Sequence, residues 1–303
     1  MKKLKKILLP VLTLVGAVAT NVNASDDWYV SATVSAMPGQ YSGSVERDNL
    51  FSGSLILNAD YLDSFSFAVA YNNTKINFKN VGLGAFAINQ NSFAGRLQYH
   101  FYTDSLGGQI TTQLVAHTIS NNDATKLTDE VTVVAPKIAY MNYAKDLYMD
   151  VEYVQSDYPN NGNLKMQQFT PSIGFGFNQN SDWLRLKAYL IKSSDKTLSQ
   201  GEESLTSFDV KWSHWLAPDA VLGLNSFFVD VLAGKRIFAV DNDAFTVYNL
   251  ADVQQGSVLL GFGWQPAEDF DVTLIAGVEK YENKIINNTY NQQYLYVSLT
   301  KSW

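Results

Sequence analysis

The chain has 303 residues, a formal charge of −7 and 46% hydrophobic residues, with 17 Phe, 17 Tyr and 6 Trp. The acidic balance excludes a strongly basic nucleic-acid binder, and the absence of cysteine excludes a disulfide-stapled secreted domain. A mean hydropathy of −0.10, with one long apolar run at the N-terminus, excludes a helical membrane bundle and leaves a β-rich chain.

Residues 1–24 read as a cleaved secretory signal, and residues 25–303 as one domain. Lys2, Lys3, Lys5 and Lys6 form a basic start, Ile7 to Val18 an apolar core, and Val22-Asn23-Ala24 a small-residue cleavage site. The core is short for a bilayer span and no stop-transfer pattern follows it. Removing the segment leaves 18 basic against 29 acidic residues, a charge of −11. The mature chain is therefore exported and acidic.

From Ser25 onward the dominant signal is period-2 alternation, which marks strands with two unlike faces. Trp28, Val30, Ala32 and Val34 alternate with Tyr29, Ser31, Thr33 and Ser35. Phe65, Phe67, Val69 and Tyr71 alternate with Ser66, Ala68 and Ala70. The same pattern sets Phe93, Leu97, Tyr99 and Phe101 against Ser92, Arg96, Gln98 and His100. Leu184, Leu186, Ala188 and Leu190 oppose Arg185, Lys187 and Tyr189, and Val258, Leu260, Phe262 and Trp264 oppose Ser257, Gly261 and Gly263. No helix-period segment appears outside the signal.

Short turns are expected near Asp60–Ser64, Thr103–Gly107, Ala144–Asp146, Asn178–Asp182, Ala217–Asp219 and Pro266–Asp269. Longer polar stretches lie between them: Met37–Asn49, Asn72–Asn91, Ser120–Asp129, Asp157–Lys165, Ser193–Glu203, Leu232–Gln254 and Glu282–Asn288. Six short turns and seven long loops connect fourteen strands and leave both termini on the short-turn side. About ten residues per tilted strand then accounts for half of the mature chain, as a membrane barrel requires. Trp28, Trp183, Trp212, Trp215, Trp264 and Trp303 all fall near that short-turn rim. They are expected to form a periplasmic aromatic girdle, since indoles favour the headgroup zone.

In these respects the chain resembles the bacterial outer-membrane β-barrel (porin-like) superfamily. The sharpest local likeness is the last strand, Tyr294–Trp303, where Leu295, Val297 and Leu299 run in phase with the terminal Trp303. It looks like the C-terminal signal read by the barrel-insertion machinery. Lys301 departs from that pattern, in which a hydrophobic residue is usual, although a lysine can snorkel to the interface. The resemblance implies an all-β, antiparallel up-and-down transmembrane barrel in the outer membrane of a Gram-negative bacterium. It also implies periplasmic termini and contact with outer-membrane lipids and lipopolysaccharide. Pro136 and Pro171 fall inside expected strands and are read as bulges or strand ends.

If the apolar face meets lipid, the other lines the lumen. The pore-lining candidates are Arg96, Gln113, His117, Lys137, Asp150, Glu152, Arg185, Lys187, Asp209, Lys211 and Glu279, with Gln98 beside them. Gly174, Gly176, Gly261 and Gly263 are expected to leave open volume. Arg185 and Lys187 facing Asp209 and Lys211 read as cross-strand pairs that stiffen the wall, or as a transverse field across a constriction. Mixed signs predict weak ion selectivity. Asn72–Asn91 and Leu232–Gln254 are long enough to enter the mouth or meet a partner, and Val81–Ile88 is unusually apolar for a loop. Asp60, Asp63, Asp104, Asp146, Asp182, Asp219, Glu268 and Asp269 against Lys145 make the short-turn rim acidic, which suits a basic partner or ordinary turn chemistry.

No metal, cofactor or catalytic residues are expected. The histidines His100, His117 and His214 are dispersed, and none has a serine two residues away on its own face. A cross-strand serine stays open as an alternative. The leading expectation is a monomeric channel for passive diffusion of small solutes. The rival is a non-conducting barrel that scaffolds a surface assembly, and the third reading is a lipid-acting enzyme.

Overall fold

A computed structural model describes residues 27–79, 86–217, 220 and 223–303. The signal-peptide reading therefore lies outside the described residues, as do residues 81–85 of the apolar stretch Val81–Ile88 and Asp219 of the expected turn and acidic rim.

Fourteen antiparallel strands close into a barrel. In chain order they are β1 (Trp28–Ser42), β2 (Arg47–Tyr61), β3 (Phe65–Phe78), β4 (Ala87–Thr103), β5 (Gly108–Asn121), β6 (Val131–Asn142) and β7 (Leu147–Tyr158). There follow β8 (Leu164–Phe177), β9 (Asp182–Ser193), β10 (Ser204–Trp215) and β11 (Leu224–Arg236). The wall is completed by β14 (Val253–Ala267), β15 (Phe270–Asn283) and β16 (Asn288–Ser302), and β1 pairs with β16 to close it. The two remaining strands, β12 (Val240–Asp241) and β13 (Thr246–Val247), form a small hairpin off the wall. The sequence pattern had no signal for this extra pair.

The strand faces follow the alternation. Phe65, Phe67, Val69 and Tyr71 are exposed on the outside, while Ser66, Ala68 and Ala70 are buried on the inside. A closed wall satisfies every backbone group within itself, and its apolar outer band is what a bilayer solvates. Many strands run longer than the ten residues expected, so several expected loops shrink. Only 43–46 of Met37–Asn49 is loop, because β1 and β2 extend through the rest.

The two prolines correct the expectation of bulges or strand ends. Both sit mid-strand, Pro136 opposite Leu114 and Pro171 opposite Val151. Pairing lapses beside each on its other flank, yet the register resumes unshifted at Lys137↔Glu152 and Ser172↔Lys187. A missing N–H removes local ladder bonds without inserting a residue. The register shifts lie elsewhere. In β11 one falls between Ala233 and Arg236, where Gly234 adopts φ 102° and the chain leaves the wall. Its absent Cβ would lie 2.5 Å from the Thr206 carbonyl oxygen, so only glycine fits this exit.

The inner face is not uniformly polar. On β5 to β10 its long-loop half carries Val115, Ile119, Val131, Val133, Val154, Leu164, Met166, Ile191 and Leu205, all almost wholly buried. They pack against Ile237, Phe238, Ala239 and Val240, which follow β11. The barrel thus has a hydrophobic core inside its lumen, built between the wall and the segment 237–252.

Candidate functional site: a constriction inside the lumen

The segment 237–252 enters the lumen because its two halves satisfy different parts of the wall. Its apolar start is buried on β5 to β10, and the Phe238 ring lies 4.7 Å from that of Tyr158. Burying a side chain of this size stabilises by roughly 1.5–3 kcal/mol relative to exposure. The backbone at Val240 is met by Gln168, whose Nε2 donates to the carbonyl at 2.8 Å and whose Oε1 accepts the N–H at 3.0 Å. A buried loop needs such partners, since unpaired peptide groups are costly.

The hairpin tip is polar and meets the charged rungs of the wall. His117 Nε2 lies 2.7 Å from Asn242 Oδ1, and Asn242 Nδ2 donates to Glu152 Oε1 at 2.8 Å. Lys137 Nζ reaches Asp243 Oδ1 at 2.9 Å. Arg185 Nη1 and Lys187 Nζ reach Asp243 Oδ2 at 3.0 and 2.7 Å, and Lys187 also faces Asp241 at 3.4 Å. One carboxylate therefore receives three cations from β6 and β9. The far limb is fixed too: Asn249 Nδ2 donates to Gln90 Oε1 and to the Thr128 carbonyl, both at 2.8 Å. Arg236 lies over the Tyr248 ring at 4.0 Å.

Next to the tip lies a cavity of about 250 Å³, lined by Arg96, Gln98, His100, Thr111, Gln113, Lys137, Ala139, Tyr148 and Asp243. Its polar lining is tied together laterally. Arg96 Nη2 donates to Asn58 Oδ1 at 3.0 Å, Gln98 Nε2 to Gln113 Oε1 at 2.9 Å, and His100 Nδ1 lies 2.8 Å from Thr111 Oγ1.

The structure sorts the expected pore-lining residues into groups. Lys137, Arg185, Lys187, His117 and Glu152 meet at the hairpin tip, and Arg96 and Gln113 line the cavity. Asp150 accepts a hydrogen bond from Ser172 Oγ at 2.5 Å. The β9–β10 rungs are Arg185↔Lys211 and Lys187↔Asp209, and only a 3.9 Å contact links Arg185 to Asp209 across them. The main partner of the β9 cations is Asp243, from a distant loop. Lys211 stands opposite Asp230 and places its ammonium 3.9 Å from the Phe228 ring centre. Glu279 is elsewhere, in a tyrosine cluster where Tyr281 and Tyr294 donate to it.

The small inner-face residues do not simply leave space. At Gly174 an added Cβ would lie 2.5 Å from the Trp183 ring, and at Gly261 2.1 Å from Phe228. Neighbouring rings occupy what these glycines vacate. Trp183 is thereby placed on the lumen side, because Gly174 pairs with the inward Arg185. Among the expected girdle residues it departs from the lipid face, and the reason is strand parity: inward Arg185 is two residues away. Trp28, Trp212, Trp264 and Trp303 share the opposite, outward parity. Trp215, which ends β10 46% exposed, shares the inward parity of Asp209 and Lys211 and so also departs from the expected lipid-facing girdle. In the terminal strand Leu295, Val297 and Leu299 face outward with Lys301, which pairs with Asp269 of the β14–β15 turn.

The three histidines have distinct partners. A cross-strand serine does approach one: Ser66 Oγ lies 3.4 Å from His100 Nε2, but its other nitrogen faces Thr111 instead of a carboxylate. His214 is held by Asp182 at 2.9 Å. Among the described residues no group of three metal-ligating side chains converges.

Asp241, Asn242, Asp243, Val240 and Gln168 were not among the expected site residues. The available signal was the run Ile237-Phe238-Ala239-Val240, four consecutive apolar residues in a stretch expected to be a loop.

No protein-family profile matches the chain, and no curated protein does. Solved barrels do resemble it in fold. A bacterial polysaccharide outer membrane secretin aligns over 90% of this chain and 98% of its own, with TM-score 0.54 and 8% identity. The Pseudomonas putida toluene transporter TodX aligns over 92% and 90%, with TM-score 0.55 and 8% identity. A TodX deletion variant described as a monoaromatic hydrocarbon channel gives 92%, 91% and 0.56, again at 8% identity. The chain has the fold of outer-membrane barrels.

Proposed function

We propose that this protein is a non-enzymatic channel of the outer membrane of a Gram-negative bacterium, passing small polar solutes by passive diffusion. Both termini and the acidic short turns face the periplasm in this reading, with lipopolysaccharide around the opposite rim. The barrel-insertion machinery acts on β16 during assembly. One observation carries the reading: the segment 237–252 folds into the lumen and leaves beside its tip a cavity of about 250 Å³ with a polar, charged lining. Solved barrels of the same fold include proteins described as channels and transporters. Passage next to Arg96, Lys137 and Asp243 suits a small solute with polar groups and disfavours a purely apolar one.

Planar-bilayer recording of the refolded mature chain tests this. Small, discrete conductance steps are expected, and replacing 240–247 by a short Gly-Ser linker should enlarge them severalfold. The same hairpin also fits the scaffold reading, in which the lumen is closed. Silence of both the native chain and the linker variant, across salt and voltage, would reject the channel and favour that scaffold.

A further inference from the structure

The clearest unexplained feature is the convergence of three cations on one loop carboxylate. Lys137, on β6, meets one Asp243 oxygen, while Arg185 and Lys187, on β9, meet the other. Both oxygens of a planar two-oxygen group are engaged at 2.7–3.0 Å from two strands. That geometry belongs to a carboxylate; a halide offers a single point to such a fork. Asp241 and Asp209 stand beside the cations at 3.4 and 3.9 Å, and Glu152 and Asp150 act on Lys137 from the neighbouring strand; these acids offset the cationic charge without filling the central position.

The site is built, yet open on one side. The Lys187 side chain is only 6% exposed, so its charge is committed to whatever lies at its tip. Asp243 retains 37% exposure and forms part of the adjoining cavity. The hairpin is anchored independently of Asp243, through Gln168–Val240 and His117–Asn242–Glu152. Withdrawal of the Asp243 side chain therefore loosens the tip beyond Asn242 and leaves the base of the loop seated.

We propose that Lys137, Arg185 and Lys187 form a binding site for small carboxylate solutes, which Asp243 occupies as a tethered stand-in. The inference rests on the channel reading and names its solute class. A carboxylate arriving through the cavity next to Arg96 exchanges with the Asp243 side chain and is handed across the constriction. The latch and the selectivity site are then one set of cations, and weak overall selectivity gives way to preference for carboxylates over halides.

Hydrogen exchange on the refolded mature chain in detergent tests this without requiring conduction. Sodium succinate is titrated against sodium chloride at matched ionic strength. Amides of 243–246 should exchange at least about threefold faster in succinate, saturably, while those of 28–42 stay unchanged. Identical exchange in the two salts would overturn the proposal. The double variant K137Q/K187Q should lose the response, and a response that persists there would also overturn it. If that variant fails to fold, D243N serves: removing the internal competitor should tighten succinate binding about tenfold by calorimetry. Unchanged or weaker binding in D243N counts against the site. Succinate binding by a protein that never conducts would sink the channel reading alone.

Discussion

Gln168 and Val240 form a reciprocal hydrogen-bonded pair, side-chain amide to backbone, at 2.8 and 3.0 Å. A wall side chain here imitates a neighbouring strand and gives the first residue of the hairpin both of its backbone partners. The pair is buried, with Gln168 3% exposed and Val240 1%. This is how a loop with ordinary peptide groups is tolerated in the interior of a barrel.

Substituting Gln168→Leu keeps the bulk and removes both partners at once. Leaving two buried peptide groups unpaired should weaken seating of the hairpin by about 1–3 kcal/mol. In single-channel records the variant should flicker between the native conductance and a larger state. A record as quiet as the native one would show that the pair does not hold the loop.

The pH dependence of the latch follows from its charges. Burial by itself raises the Asp243 carboxyl, but Lys187, Lys137 and Arg185 together hold it well below its ordinary 3.8. A depressed carboxylate contributes fully above the unfolded value and is lost as pH falls through the depressed one. The difference in conductance between native protein and D243N should therefore be flat from pH 7 to about 4, and shrink only below that. A difference that fades between pH 7 and 5 would show that the carboxylate is not held by these cations.

Gly174→Val should disturb the short-turn end of the β8–β9 wall. Its side chain would enter the Trp183 ring, which stands 2.5 Å from the position of a Cβ. Overpacking of this kind costs about 1–3 kcal/mol. Unfolding in urea, followed by the loss of heat-modifiable migration in detergent gels, should shift to lower denaturant. Gly95, with no neighbour near its absent Cβ, is the control, and G95A should shift less.

The Lys301–Asp269 pair makes a deliberately small prediction. Both side chains keep solvent contact, 24% and 53% exposed, so the ion pair is worth at most about 1 kcal/mol. Lys301→Leu should leave the urea midpoint nearly unchanged. A large loss would mean that Lys301 secures the β14–β15 turn to the terminal strand.

The wall was legible because a barrel repeats one rule. Phe65-Ser66-Phe67-Ala68 already states which face meets lipid, and neighbouring strands pair in chain order, so local pattern and topology coincide. The rule failed where a second partner intervened. Val115, Ile119 and Val133 are apolar yet face inward, because Ile237–Val240 covers them. Pro136 and Pro171 looked like interruptions because a ladder gap and a bulge leave the same mark on a sequence.

The sequence by itself determined the all-β class, the fourteen-stranded wall, the clustering of its short turns at one end and most of the inward charges. These depend on periodicity and on contacts between adjacent strands. Tertiary structure alone decided that Lys137, Arg185 and Lys187 share Asp243. That carboxylate lies 106 residues from Lys137 and 56 from Lys187, and reaches them only because 237–252 turns inward at Gly234. Alternation specifies which way a side chain points, but a long loop has no such period. Its position is set by the cavity it fills and by the buried charges and peptide groups it satisfies.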